Sequence, residues 1–230
     1  MARRFRERGH RLALCSRSAP ILDDGEEVLA RQVDVRDAAA VEAFAREAEH
    51  RFGSIDLWIN NAGVLEPIAP LRKIEAPQAL RHIRINLMGT LHGSASFIRH
   101  LHRCGGEGVL INISSGAARR AYAGWSVYCA AKAGVDRLTE CIALEERDHG
   151  LRAFAVAPGV VDTGMQERIR SSSGSDFPEL PRFLELERRG HFNSPRFVAD
   201  HLLALAFGPA PPDPEEVLVR LPNEWEEDLR

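Results

Sequence analysis

The chain has 230 residues, 44% of them hydrophobic, which is enough for one sizeable core, so a single domain spanning 1–230 is expected. Thirty basic and 33 acidic residues, well mixed, leave a formal net charge of -3 and exclude the broad basic surface that nucleic acid requires. No apolar run approaches the roughly 20 residues that span a bilayer, and Cys15, Cys104, Cys129 and Cys141 show no CxxC or other metal-ligand spacing. Four such cysteines read as free thiols in a reducing, cytoplasmic setting.

Met1 to Arg8 predicts an amphipathic helix closed by Gly9, and Leu12 to Cys15 a strand. Arg31 to Val35 predicts a second strand. Asp37 is a plausible N-cap for a helix whose Val41, Phe44, Ala45, Ala48 and Phe52 fall at helical spacing, with Gly53 closing it. Ile55 to Ile59 is the next strand and runs into Asn60-Asn61-Ala62-Gly63. A helical region over about 77–103 leads through Gly105-Gly106 to the strand Val109–Ile113, which ends in Ser114-Ser115-Gly116. A loop to Gly124, a long helix over Trp125–Arg147 and the strand Leu151–Ala157 follow. Residues 171–195, rich in serine, proline and glycine, predict a mobile excursion with a short helix over Phe183–Arg189, and the stretch 163–195 is expected to serve as a substrate lid. A helix over Pro195–Leu205 and a weak strand over Val217–Leu221 finish the chain. This alternation predicts an α/β fold with a parallel sheet covered by helices on both faces.

Ser115, Tyr128 and Lys132 carry the chemistry. Tyrosine and lysine four residues apart are neighbours on one helical face. Reduction of a carbonyl by hydride needs a proton for the nascent alkoxide, and a phenol of ordinary pKa about 10 serves poorly unless its anion is stabilised. A cation about 5 Å away, at an effective dielectric near 20, contributes roughly 3 kcal/mol. That is enough to lower the phenol by about 2 pKa units before desolvation takes some back. A serine hydroxyl from a strand end can hold the carbonyl oxygen. A Tyr-x-x-x-Lys pair alone is a frequent accident of helices. The serine thirteen residues upstream at the end of a buried strand, Asn60-Asn61-Ala62-Gly63 after another strand and Pro158-Gly159-Val160-Val161-Asp162-Thr163 after a third make this one specific.

Together these motifs resemble the short-chain dehydrogenase/reductase family in order and spacing over nearly the whole chain. The resemblance implies a Rossmann-type doubly wound parallel sheet. It implies Tyr128 as general acid, Lys132 as the group that lowers its pKa and contacts the nicotinamide ribose, and Ser115 as substrate orienter. It also implies that Asn86 holds a water for proton relay. For the cofactor it implies Asp34 and Val35 beside the adenine, Asn60 and Gly63 along the central cleft, and Val161 and Thr163 near the carboxamide. Ser16 and Arg17 follow the strand ending at Cys15, where an acid would favour NAD and a base NADP; this favours NADP, used as NADPH. The segment Asp162 to Ser173 with Asp176-Phe177 is similar to the benzil reductase and sepiapterin reductase group. It implies reduction of a small-molecule ketone or diketone, with Met165, Trp125 and Tyr122 as walls of an apolar pocket. Arg220 and Pro222 stand where sepiapterin reductases carry an aspartate, which departs from pterin binding.

Members of the family begin with a strand and a glycine-rich turn that receives the pyrophosphate. Met1 to Phe5 instead match the interior of the helix after that turn. The sequence therefore predicts a sheet lacking its first strand, with the flanking strands about 9.6 Å apart and unable to hydrogen-bond. The leading expectation places strand and turn upstream; the rival is a cofactor-deficient, partner-binding or regulatory protein. The resemblance further implies a homodimer or homotetramer through the long helices. His92, His100 and His102 lack a carboxylate at ligand spacing, so no metal is assigned.

Overall fold

A computed structural model of the chain describes residues 1–208 and 216–227. The elements run α1 (Ala2–Glu7), β1 (Leu12–Ser16), β2 (Val28–Gln32), α2 (Ala38–Phe52), β3 (Leu57–Asn60), α3 (Ala76–Ile83), a π turn (Arg84–Met88), α4 (Gly89–Cys104), β4 (Gly108–Ile113), α5 (Ser126–Glu145), β5 (Leu151–Ala157), α6 (Gly164–Arg170), α7 (Leu180–Arg189), α8 (Pro195–Phe207), β6 (Leu218–Arg220) and α9 (Glu224–Glu227).

All named strand pairs are parallel, and they form two half-sheets. β3, β4, β5 and β6 lie in that order, while β1 pairs with β2 alone. Between β1 and β3 lies a cleft of about 790 Å³ whose walls include Leu12 to Ser16 on one side and Leu57 to Asn60 on the other. The two facing edges are not hydrogen-bonded to one another, as expected from the sequence.

Strand alternation assigns the layers. Val109 and Ile111 of β4, with Phe154 and Val156 of β5, pack on α1 and α8 through Phe5, Val198, Ala199 and Leu202. Leu110 and Ala153 point the other way, onto Phe97 and Leu101 of α4 and Ile142 of α5. Helices thus cover both faces, and burying one aliphatic or aromatic side chain from each successive residue contributes about 1.5 to 3 kcal/mol apiece. Asp37 caps α2 by accepting from the Ala39 and Ala40 amides at 2.9 and 3.1 Å, as its position before the apolar periodicity suggests.

Several boundaries differ from the sequence reading. β2 lies at Val28–Gln32 rather than 31–35, because the buried pair Val28 and Leu29 enters the ladder opposite Leu12 and Ala13, and a turn closed by Asp37 N–H to Asp34 C=O ends the strand. β3 begins at Leu57 and includes Asn60. The helical region expected over about 77–103 is present as α3 and α4, joined by the π turn. The excursion at 171–195 holds a ten-residue helix, Leu180–Arg189, anchored by the buried Phe177 and Phe183; it is packed rather than loose.

Candidate active site

β4 ends at Ile113, and Ser115 caps the short helical turn Gly116–Ala118, its Oγ accepting from the Ala117 amide at 3.2 Å. That acceptor role leaves the hydroxyl proton for another partner. Tyr128 and Lys132 are both buried on the inner face of α5. Lys132 Nζ donates to the Ile113 carbonyl at 2.7 Å and stands 5.9 Å from the centre of the Tyr128 ring. The three residues expected to act together are therefore brought to the carboxyl end of β4.

The electrostatics differ from the sequence argument. Burial pushes the Tyr128 phenol above its ordinary value, and the Ser115 hydroxyl offsets part of this. Burial also brings Lys132 down to about 8, with the Asp136 carboxylate opposing. Desolvation thus dominates both groups. The phenol stays protonated through the neutral range, and the ammonium loses its proton near pH 8.

Asn86 is fully buried and its carboxamide is wholly engaged. Its Oδ1 accepts from the Val64 amide at 3.0 Å, and its Nδ2 donates to the Val64 carbonyl at 2.9 Å and faces His82 Nε2 at 2.8 Å. His82, which the sequence reading did not single out, is 1% exposed. Its Nδ1 faces the Glu66 carbonyl at 2.8 Å, so the Nδ1–H tautomer satisfies both contacts. Its ring meets the Tyr128 ring edge-on at 5.9 Å, and burial lowers its pKa. The only signal for it was its position, one turn before Asn86.

A second buried polar cluster underlies the ends of β3 and β4. Asn60 Nδ2 donates to Asn112 Oδ1 at 2.8 Å and to Ser94 Oγ at 3.1 Å, Asn60 Oδ1 accepts from Trp58 Nε1 at 2.9 Å, and Asn112 Nδ2 donates to Thr139 Oγ1 at 2.9 Å. The Asn60 carboxamide is thus committed to the interior, leaving its backbone for the cleft. Gly93 lets α4 approach this close: a Cβ there would stand 2.0 Å from Asn60 Oδ1.

Ser16, Arg17, Asp34, Val35, Arg36 and the run Asn60 to Gly63 line the cleft at the carboxyl ends of β1, β2 and β3. Asp34 binds the Arg36 guanidinium, its Nε at 2.9 Å from both carboxylate oxygens, and this pairing holds the carboxyl near pKa 2, with Arg17 adding to the effect. Arg36 is a second base that the sequence reading passed over. Two guanidiniums against one carboxylate leave this end net positive. A Cβ on Gly63 would be 2.9 Å from Asn86 Oδ1 and 4.0 Å from Lys132 Nζ, which brings the cleft up to Lys132. Val161 and Thr163 lie beyond β5, where Val161 bridges to Asn193 and Thr163 caps α6; neither lines that cleft. These residues suit an elongated, anionic nucleotide: polar strand ends and a basic corner.

The anticipated pocket walls also converge. Trp125 stacks on Phe177 at 4.5 Å and meets Tyr122 at 5.0 Å and Tyr128 at 5.6 Å, and Met165 packs on the same group. Gly124, at φ 88°, admits the Asp176 carbonyl to within 2.2 Å of where a Cβ would lie, so the α6–α7 segment seats directly on the start of α5.

Residues 1–174 match the family model described as short chain dehydrogenase. The chain belongs to the short chain dehydrogenase family, and with it to the NAD(P)-dependent oxidoreductases. Among curated relatives of the family, it is 38% identical over 174 residues to a benzil reductase ((S)-benzoin forming) of Bacillus cereus, covering 73% of this chain and 70% of that one. It is 40% identical over 157 residues to the enzyme of that name from Bacillus subtilis, covering 67% of this chain and 64% of that one. The chain thus matches about two thirds of these relatives' lengths. Among solved structures of this dehydrogenase fold, the KRED1-Pglu enzyme is similar at a TM-score of 0.83 and 27% identity, covering 95% of this chain and 93% of that one. A gluconate 5-dehydrogenase from Burkholderia cenocepacia in complex with NADP and tartrate follows at a TM-score of 0.68 and 26% identity, covering 89% and 72%.

Proposed function

We propose that the protein is an NADPH-dependent reductase of ketones or diketones, with Tyr128 as the proton donor. The observation that carries this reading is a buried phenol, held protonated, between the Ser115 hydroxyl and the Lys132 ammonium at the foot of an aromatic wall. Bound NADPH supplies the hydride. Arg17 and Arg36 would hold its ribose phosphate, Val35 and the backbone of Asn60 to Gly63 would line its path, and Val161 and Thr163, beyond the cleft at the end of β5, would serve its carboxamide end. Ser115 donates to the substrate carbonyl oxygen and draws charge toward it. As that oxygen becomes an alkoxide, Tyr128 gives up its phenolic proton, and the nearby Lys132 ammonium stabilises the phenolate. Asn86 supports the relay that restores the proton. Trp125 and the Phe177 stacked on it, with the tilted Tyr122 and Met165, form an apolar wall suited to an aryl ketone, and the 163–195 segment acts as the lid that excludes water.

The similarity to benzil reductases makes benzil the first substrate to try. Consumption of NADPH with benzil, lost by about 10²- to 10⁴-fold in Tyr128→Phe while nucleotide binding persists, is the expected result; equal turnover by the variant overturns the assigned proton donor. The exposed apolar residues Met88 at the end of the π turn, Leu91 in the first turn of α4 and Leu144 near the end of α5 support self-association through these helices, and the free cysteines support a reducing, cytoplasmic setting.

A further inference from the structure

The carboxylate that the histidine-rich helix lacks in sequence is supplied by the fold. His102 lies in the last turn of α4, Glu146 caps α5, and His149 sits in the turn that enters β5. His102 Nε2 is 2.7 Å from Glu146 Oε2, and His149 Nδ1 is 3.8 Å from the same oxygen. The two imidazole rings lie 4.9 Å apart, and the three ligand atoms all fall within 4.8 Å of one another. We propose that His102, Glu146 and His149 form a binding site for a zinc-class divalent metal ion, joining the ends of α4 and α5.

Donor chemistry and proton placement both support this. Two imidazole nitrogens and a carboxylate suit borderline metals of the zinc type, whereas magnesium and calcium prefer all-oxygen sites. Ligand atoms about 2.0 to 2.2 Å from a tetrahedral zinc lie roughly 3.3 Å apart, so the observed 2.7 and 3.8 Å need only small side-chain adjustments. Backbone bonds fix the arrangement: the Glu146 amide donates to Ile142 C=O at 2.9 Å and the His149 amide to Glu146 C=O at 3.0 Å, which folds His149 back over the carboxylate. The remaining nitrogen of each ring, His102 Nδ1 and His149 Nε2, is free to carry the proton when the other nitrogen binds metal.

A second cluster a few residues away shows what a non-binding version looks like. Glu49, His100 and Cys104 also bring three ligand atoms within 4.8 Å. There the Ile55 amide donates to His100 Nε2 at 3.0 Å, so that nitrogen holds the lone pair and Nδ1 holds the proton, aimed at Glu49 Oε2 at 2.9 Å. Metal on Nδ1 would require moving that proton to Nε2, against the amide. Arg103 further occupies Glu49 at 2.8 Å. The tautomer is locked the wrong way, and this cluster serves as an internal control. Neither cluster touches Ser115, Tyr128 or Lys132, so the proposal stands independently of the reductase reading.

Titration of the intact chain with zinc chloride, followed by calorimetry and thermal melting, tests the site. The expected result is one equivalent bound and a raised melting temperature, with no response to magnesium. His149→Ala and Glu146→Gln should each weaken zinc by about tenfold or more, and Cys104→Ser should leave binding unchanged. Substitution by cobalt should give the intense visible bands of a four-coordinate ion. Absence of zinc binding in the intact chain, binding that survives joint replacement of His102 and His149, or binding lost in Cys104→Ser overturns the proposal.

Discussion

The two half-sheets teach different lessons about how one fold divides its labour. The β3–β6 half is layered on both faces, its central strand β4 is buried along its length up to the partly exposed Ile113, and its polar groups near the site are paired through Asn60, Asn112, Ser94, Thr139, Asn86 and His82. The β1–β2 half has two strands, an edge facing the cleft and exposed ion pairs at its carboxyl end. One half holds the groups proposed to react still; the other presents charge to the proposed nucleotide. Preorganisation belongs where bonds change, whereas a nucleotide phosphate is served by exposed guanidiniums that can follow it.

Replacing Asn112 by Leu attacks the rigid half where it is most committed. Asn60 Nδ2 keeps Ser94 Oγ and Thr139 Oγ1 keeps the Val135 carbonyl, but each loses one buried hydrogen bond, at about 1 kcal/mol apiece, so a drop in melting temperature of a few degrees is expected; an unchanged melt would mean the cluster is not structural. Arg17→Ala with Arg36→Ala tests the other half. NADPH affinity should fall by about tenfold, the loss of roughly 1.4 kcal/mol of charge-assisted contact, while NADH affinity and the melting temperature hold. Equal losses for both nucleotides would remove the basis for NADPH preference.

The smallest expected change crosses the comparison. Lys132 is buried with its pKa lowered to about 8 from 10.5. Above pH 8 the folded protein releases a proton that the unfolded chain keeps until about 10.5, so stability rises with pH across that window. Below it, the buried charge costs free energy. Lys132→Met should therefore melt a few degrees higher at pH 7, by about 1 to 2 kcal/mol after losing the bond to Ile113, and the advantage should shrink between pH 8 and 10.5. A variant less stable at pH 7 would show that the Ile113 contact outweighs desolvation.

The sequence exposed what local geometry determines. Tyr128 and Lys132 share a helical face because they are four apart, and Asp37 caps α2 because it precedes the apolar periodicity. It hid what depends on distant partners. His82 matters because Glu66 and Asn86 converge on it, Arg36 because it closes on Asp34, and Glu146 because α5 ends beside His102. β2 was displaced because Val33 and Val35 alternate with polar residues as a strand would, while the buried Val28 and Leu29 lie just upstream. Electrostatics misled for the same reason: the spacing of tyrosine and lysine says nothing of how deeply both are buried.

The π turn at Arg84–Met88 has a consequence for how mutations in this gene would be tolerated. A π turn is an α-helix carrying one extra residue, so removing a single codon there would let the ordinary register resume. The wider turn absorbs the extra residue, so after such a deletion outside Asn86 α4 would keep its phase with α3 and Gly93 its place against Asn60. A codon lost from regular α3 or α4 would instead turn everything after it by about 100°. The π turn is therefore the one stretch of this helical region where a one-codon deletion in frame would be tolerated better than elsewhere.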